Sequence, residues 1–212
     1  MKSTFEIPNI LLHFFSQCLM KVGFAFEVHG IEHLKQIQGP VILAGNHTGL
    51  LDSFIVLAAY NKPFRFLMDK KVLGWGIIGK LVRYGNILPL KPKQPKDSLR
   101  IAIQSLQHGT SICIFPEGKL SVDGQLGQFQ EGVAFLQEKS GVTILPFAIS
   151  GGSEAWPYGQ RLPRLRPVQL RFGEPIPCDT TRERSEVTIL LKSSISKMLS
   201  PIQSKINSPQ CE

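Results

Sequence analysis

Cysteine is scarce, with four in 212 residues: Cys18, Cys113, Cys178 and Cys211. No two stand close enough in sequence for a zinc pair, and Cys113 lies inside an apolar run. Four reduced thiols in a reducing compartment are the expectation, and no His/Cys/Asp cluster suggests a metal. No signal peptide is visible, so a cytoplasmic location follows as the default. No period of roughly 20–50 residues repeats, which excludes solenoids and propellers. Low-complexity tracts are missing too, and a composition 42% hydrophobic and 19% charged is that of a folded globular chain. The length suits one domain with a real core and hardly two.

What is present is basic. The formal net charge is +8, and residues 62–119 carry eleven Lys and Arg against three acids, so this segment accounts for all of it. Charge gathered in one segment favours anionic partners: phosphorylated substrates, anionic lipid headgroups or nucleic acid. Nucleic acid is the weaker choice, because no zinc-finger spacing or exposed-aromatic signature accompanies the charge.

Residues 7–26 are strongly apolar but interrupted by His13, Ser16, Gln17 and Lys21. A spanning helix needs roughly 20 mostly apolar residues, so this is a poor transmembrane candidate. Leu11, Phe14, Phe15 and Cys18 recur at helical spacing. A core helix and an interfacial helix lying among headgroups both fit. Beyond it, short apolar runs at 25–29, 40–44, 64–68, 86–90, 111–115, 143–149 and 168–172 predict strands. Helical patterns fall near 50–60, 72–83, 95–108, 129–139 and 183–199. Several of the runs are continuously apolar rather than alternating, as in parallel strands buried on both faces. The expected fold is therefore α/β: a single domain over 25–200, with a mostly parallel central sheet of seven strands flanked by helices. Residues 1–24 form an apolar helical segment before it, and polar residues 201–212, with Pro201 and Pro209, suggest a frayed tail.

Sites in such sheets form where strands end and loops begin. Three junctions are rich. In Asn46-His47-Thr48-Gly49-Leu50-Leu51-Asp52 a five-residue gap separates a histidine from a carboxylate. On a helix that gap turns the side chains about 140° apart, and on a strand it sends them to opposite faces. The two meet only if the chain turns between them, which Gly45 and Gly49 permit. A carboxylate on one imidazole nitrogen fixes the tautomer and leaves the other nitrogen to take a proton. Spacing alone is equally served by two separate polar residues, Asp52 at a helix start. The second junction, Phe115-Pro116-Glu117-Gly118-Lys119-Leu120-Ser121, crowds charge and hydroxyl at a strand exit. The third, Gly85 to Lys91, delivers a cation where a phosphate would need one.

Together these segments resemble the 1-acyl-sn-glycerol-3-phosphate acyltransferase family, the glycerolipid acyltransferases with a His-x4-Asp signature. Asn46 to Asp52 resembles its first block, Gly85 to Lys91 the second, Phe115 to Gly118 the third, and Ile144-Leu145-Pro146-Phe147-Ala148-Ile149 the proline-containing fourth. The likeness covers about residues 25–180. Two departures stand out: Lys91 where arginine is usual, and Lys119-Leu120-Ser121 where Thr-Arg-Ser is common. Lysine keeps the charge but loses the planar fork that matches a phosphate.

The resemblance implies an O-acyltransferase with no acyl-enzyme. His47, held by Asp52, would take the proton of an acceptor hydroxyl attacking an acyl thioester, of acyl-CoA or acyl-carrier protein. Lys91, Glu117, Gly118, Lys119 and Ser121 would bind lysophosphatidic acid, with no cofactor or metal. Another lysolipid or glycerol 3-phosphate as acceptor is the nearest alternative. The enzyme would lie on the cytoplasmic face of an anionic membrane surface, peripheral or monotopic, with no nucleic-acid partner. Two other classes compete. A basic, non-catalytic lipid-binding module explains the charge but leaves the His/Asp pair idle. A hydrolase using Ser121 or Cys113 lacks a Gly-x-Ser-x-Gly elbow.

Overall fold

Apolar runs become adjacent strands. The computed structural model describes residues 6–69, 87–90, 95–121, 125–157, 159–160 and 162–206. Among them, seven strands follow in chain order: β1 (Glu27–His29), β2 (Ile42–Gly45), β3 (Phe64–Asp69), β4 (Ile87–Leu90), β5 (Ser111–Ile114), β6 (Ile144–Ser150) and β7 (Gln169–Phe172). They form one sheet in the order β1-β7-β6-β2-β5-β3-β4. β2 sits centrally, Ile42 opposite Ile112 on one side and Ile144 on the other, both pairings parallel. β3 and β4 extend that parallel set. β7 meets β6 antiparallel and β1 follows β7 in parallel, so two strands at one edge run against the other five.

All seven strands expected from the apolar runs are there, and the reason lies in the faces. Leu43, Cys113, Leu145 and Phe147 point into one core, with Phe24, Ile55 and Leu170. Ile42, Ala44, Ile112 and Ile144 point into another, with Leu106, Leu136, Leu191 and Ile195. A strand buried on both faces has no polar side to alternate with.

The helices are α1 (Glu6–Phe24), α2 (Ile31–Lys35), α3 (Asp52–Ala59), α4 (Pro95–Gln107), α5 (Gly132–Ser140), α6 (Gly152–Ala155) and α7 (Arg184–Ile206). α1 and α3 cover the first face, while α4, α5 and α7 cover the second. The helix expected near 72–83 lies outside the described residues. α2 and α6 went unanticipated, since five and four residues are too few to show a helical period. α7 continues through Pro201 to Ile206, where a frayed tail is expected from 201. Residues 207–212 lie outside the described ones.

α1 is inverted relative to an ordinary surface helix. Three of its polar residues face the protein: His13 Nδ1 donates to the Leu57 carbonyl, Gln17 Nε2 donates to the Ala58 carbonyl, and Ser16 is fully buried. Met20 and Phe24 complete that inner face. Other apolar residues face outward, with Phe14 65%, Phe15 51% and Val22 89% exposed, and Cys18 and Lys21 exposed between them. The inner side of α1 thus packs as a core helix does, while its outer side leaves apolar residues exposed.

Candidate active site

β2 ends at Gly45, and the chain must leave the sheet abruptly to reach α3. A Cβ on Gly45 would lie 2.2 Å from the Phe147 ring, so only glycine lets β2 and β6 close there. Asn46 then clasps β6: its Oδ1 accepts from the Ile149 N–H (2.7 Å) and its Nδ2 donates to the Ile149 carbonyl (2.8 Å). This buried two-point bond orients the turn that follows.

The turn brings His47 and Asp52 together, with Nδ1 2.7 Å from Oδ2. Asp52 is the first residue of α3 and its side chain is completely buried, while the His47 side chain keeps 26% exposure. A buried carboxylate demands donors. Oδ2 also accepts from the Thr48 N–H (2.6 Å) and the Gly49 N–H (2.9 Å), and Oδ1 accepts from Thr48 Oγ1 (2.7 Å). The start of a helix further favours negative charge. Since a carboxylate so placed only accepts, His47 carries its proton on Nδ1 and turns Nε2 outward as the acceptor.

Two neighbours hold the imidazole. The Phe115 ring stacks on it at 4.2 Å with planes 12° apart. The turn after β5 grips its backbone: Glu117 Oε1 accepts from the His47 N–H (3.1 Å), and the Ser121 N–H donates to the His47 carbonyl (2.9 Å). Glu117 Oε2 accepts from the Gly127 N–H (2.9 Å). Both oxygens of this buried carboxylate are therefore engaged with main chain, and Glu117 ties three segments together. Gly118 takes φ +66°, a left-handed turn, and a Cβ there would meet Gln130 Nε2 at 2.6 Å.

The residues singled out in the sequence thus divide. His47 and Asp52 form a hydrogen-bonded pair, and Glu117 and Ser121 brace it. Gly118 and Lys119 lie on an exposed turn beside the brace. Lys91 falls outside the described residues. Thr48, Phe115 and Gly152 are the partners that went unassigned. Thr48 and Phe115 sit inside the motifs, but what they touch is set by the turn. Gly152, a hundred residues on in sequence, gives no signal at all: a Cβ there would lie 2.2 Å from Thr48 Oγ1 and 3.2 Å from Asp52 Oδ1.

Cys113 is fully buried, and burial first, then the nearby Asp52 charge, pushes its thiol well above the usual range. A protonated, enclosed thiol is no nucleophile. The Ser121 hydroxyl donates to the Gln125 carbonyl. Neither supports covalent hydrolysis.

Known proteins resemble this chain. A chloroplastic 1-acyl-sn-glycerol-3-phosphate acyltransferase of Arabidopsis thaliana is 30% identical over 139 residues, covering 64% of this chain and 39% of that protein. The 1-acyl-sn-glycerol-3-phosphate acyltransferase of Pseudomonas aeruginosa is 24% identical over 197 residues, covering 89% of this chain and 75% of that protein. The chain thus spans about two fifths of the plant relative's length. Among solved structures, the 1-acyl-sn-glycerophosphate acyltransferase of Thermotoga maritima superposes with a TM-score of 0.82 at 21% identity, covering 96% of this chain and 84% of that one. It has the same fold. The family model described as Acyltransferase matches residues 25–150, from β1 through the dyad and the Glu117 brace to the end of β6, and the chain belongs to that family.

Proposed function

We propose that this protein transfers a fatty acyl group from an acyl thioester to the free hydroxyl of lysophosphatidic acid, producing phosphatidic acid. The observation that carries the reading is the His47–Asp52 pair, with Nδ1 held and Nε2 turned toward the exposed side. The acceptor O–H gives its proton to Nε2 as its oxygen attacks the thioester carbonyl. The C–S bond then breaks, and the same nitrogen returns the proton to the departing thiolate. Atoms and charge balance without a cofactor or metal. General base catalysis of this kind supplies about 10²–10⁴-fold, so positioning of both substrates carries much of the remainder. The donor is acyl-CoA or acyl-carrier protein. Lys119, exposed at the turn beside the brace, and Lys91 would meet the acceptor phosphate, with Gly118 and Ser121 shaping the same approach.

The reaction belongs at an anionic membrane surface, on the cytoplasmic side. The outward apolar face of α1 supports this, because polar groups are turned inward where a helix in water would turn them out. Among the described residues no helix is long and apolar enough to cross a membrane.

The test is an acceptor panel with one thioester donor: lysophosphatidate, glycerol 3-phosphate, lysophosphatidylcholine and a phosphate-free alcohol. Thiol release that is fastest with lysophosphatidate and lost in His47→Ala is the expected result. Equal rates across the panel would remove the phosphate from recognition, and an active His47→Ala would remove the mechanism.

A further inference from the structure

Nine large apolar side chains are markedly exposed among the described residues, and five of them belong to two elements that meet at the end of α1. Phe14, Phe15 and Val22 come from α1. Leu162 and Leu165, 78% and 77% exposed, come from the segment Leu162-Pro163-Arg164-Leu165-Arg166-Pro167. The two elements adjoin at the C-terminal end of α1, where Leu165 Cδ2 lies 3.7 Å from where a side chain on Gly23 would begin. A lone exposed leucine needs no explanation, but five exposed apolar side chains on two adjoining elements do.

The segment is fastened, not trailing. The Arg164 N–H donates to the Ala155 carbonyl (2.6 Å), and the Val168 N–H donates to the Phe24 carbonyl at the end of α1 (3.0 Å). Ala155 closes α6, whose first residue, Gly152, abuts Thr48 and Asp52. The leucines therefore stand at the catalytic end of the sheet. Arg164 and Arg166, both exposed, flank Leu165, and Lys21 is exposed on α1. Among the described residues, no salt bridge engages either arginine.

We infer that residues 162–167 are a second membrane contact: Leu162 and Leu165 enter the interfacial layer, and Arg164 and Arg166 meet anionic headgroups. With α1 they make a two-point dock that turns the His47 side of the domain toward the bilayer. A single helix can roll about its axis on a surface, and a second contact beside the active site removes that freedom. The lipid acceptor then reaches Nε2 without leaving the membrane. This orientation rests on the acyl-transfer reading above; the dock itself does not.

The full chain is tested by flotation with vesicles of phosphatidylcholine and phosphatidylglycerol in equal parts. Leu162→Ser with Leu165→Ser should lower partitioning at least about tenfold, at low and high salt alike. Arg164→Gln with Arg166→Gln should lower it about fivefold per charge, and only with phosphatidylglycerol present and salt low. Flotation of both variants like wild type overturns the dock. So does a lipid-free dimer in sedimentation that the leucine changes dissociate, because a second copy then covers the patch. Turnover separates the orientation. The leucine variant should lose activity on a long-chain acceptor held in vesicles and keep it on a short-chain acceptor free in solution. Equal loss on both assigns the segment to the catalytic end alone and overturns the orientation. If wild type turns over no acceptor while flotation behaves as described, the enzymatic reading fails and the dock stands.

Discussion

Asp52→Asn isolates charge from geometry in the dyad. Oδ2 faces three N–H donors, from His47, Thr48 and Gly49, whereas Oδ1 faces only the Thr48 hydroxyl. An amide must keep its oxygen at the Oδ2 position, because an NH2 there would confront three donors. Its nitrogen then takes the Oδ1 position and donates to Thr48 Oγ1, which rotates to accept. The Nδ1–H tautomer of His47 is preserved, and only the negative charge is lost. On the proposed mechanism His47 becomes cationic when it takes the acceptor proton, and the missing charge is felt then. Losing the charge assistance of the hydrogen bond costs at least about 1.5 kcal/mol. A pair of unit charges about 4 Å apart at an effective dielectric near 20 is worth up to about 4 kcal/mol. The expected fall in kcat is therefore about 10- to 10³-fold, with the melting temperature little changed and donor KM unaltered. Thiol release under saturating acceptor, beside a thermal melt, measures both. Adding Thr48→Val removes the group that anchors the amide, and should cost Asp52→Asn more than it costs wild type. Wild-type turnover by Asp52→Asn would refute the dyad. Additive costs in the double variant would refute the amide orientation.

Three further outcomes follow from other contacts. Gly152→Ala should lower kcat about tenfold or more and stability by about 1–3 kcal/mol, because its Cβ displaces the Thr48 hydroxyl from Asp52; wild-type rate and melt together would show that the turn yields freely. Glu117→Gln leaves a main-chain N–H of His47 or Gly127 facing an amide NH2, costing about 1–3 kcal/mol. A brace lowers kcat with acceptor KM unchanged, whereas a rise in KM alone would return Glu117 to substrate contact. Cys113, its thiol pushed up by burial, carries less thiolate than an ordinary cysteine at any pH below its raised value. In mildly alkaline buffer iodoacetamide should label exposed Cys18 and spare Cys113 until the chain is denatured, and peptide mapping that finds both labelled alike in the native protein would contradict that burial.

The central strands were legible because parallel strands there bury both faces, and a run such as 112–115 has no polar residue to mislead. The dyad was legible through the family resemblance: Gly45 and Gly49 permit a turn between His47 and Asp52, but the spacing fits two separate polar residues as well, and only the motif context pairs them. What the tertiary structure decided is of another kind. Periodicity shows that two sides of α1 differ, but both sides carry apolar residues. Which one turns outward was settled by carbonyls of α3 that attract His13 and Gln17. The Phe115-Pro116-Glu117-Gly118 motif marks Glu117 without showing that its carboxylate turns inward to two main-chain N–H groups. Leu162 and Leu165 look like ordinary loop residues until Val168 is seen bonded to Phe24, which brings their segment to the end of α1. A chain encodes its local turns in neighbouring residues, but the direction a side chain faces depends on partners brought from far along the sequence, and only folding supplies them.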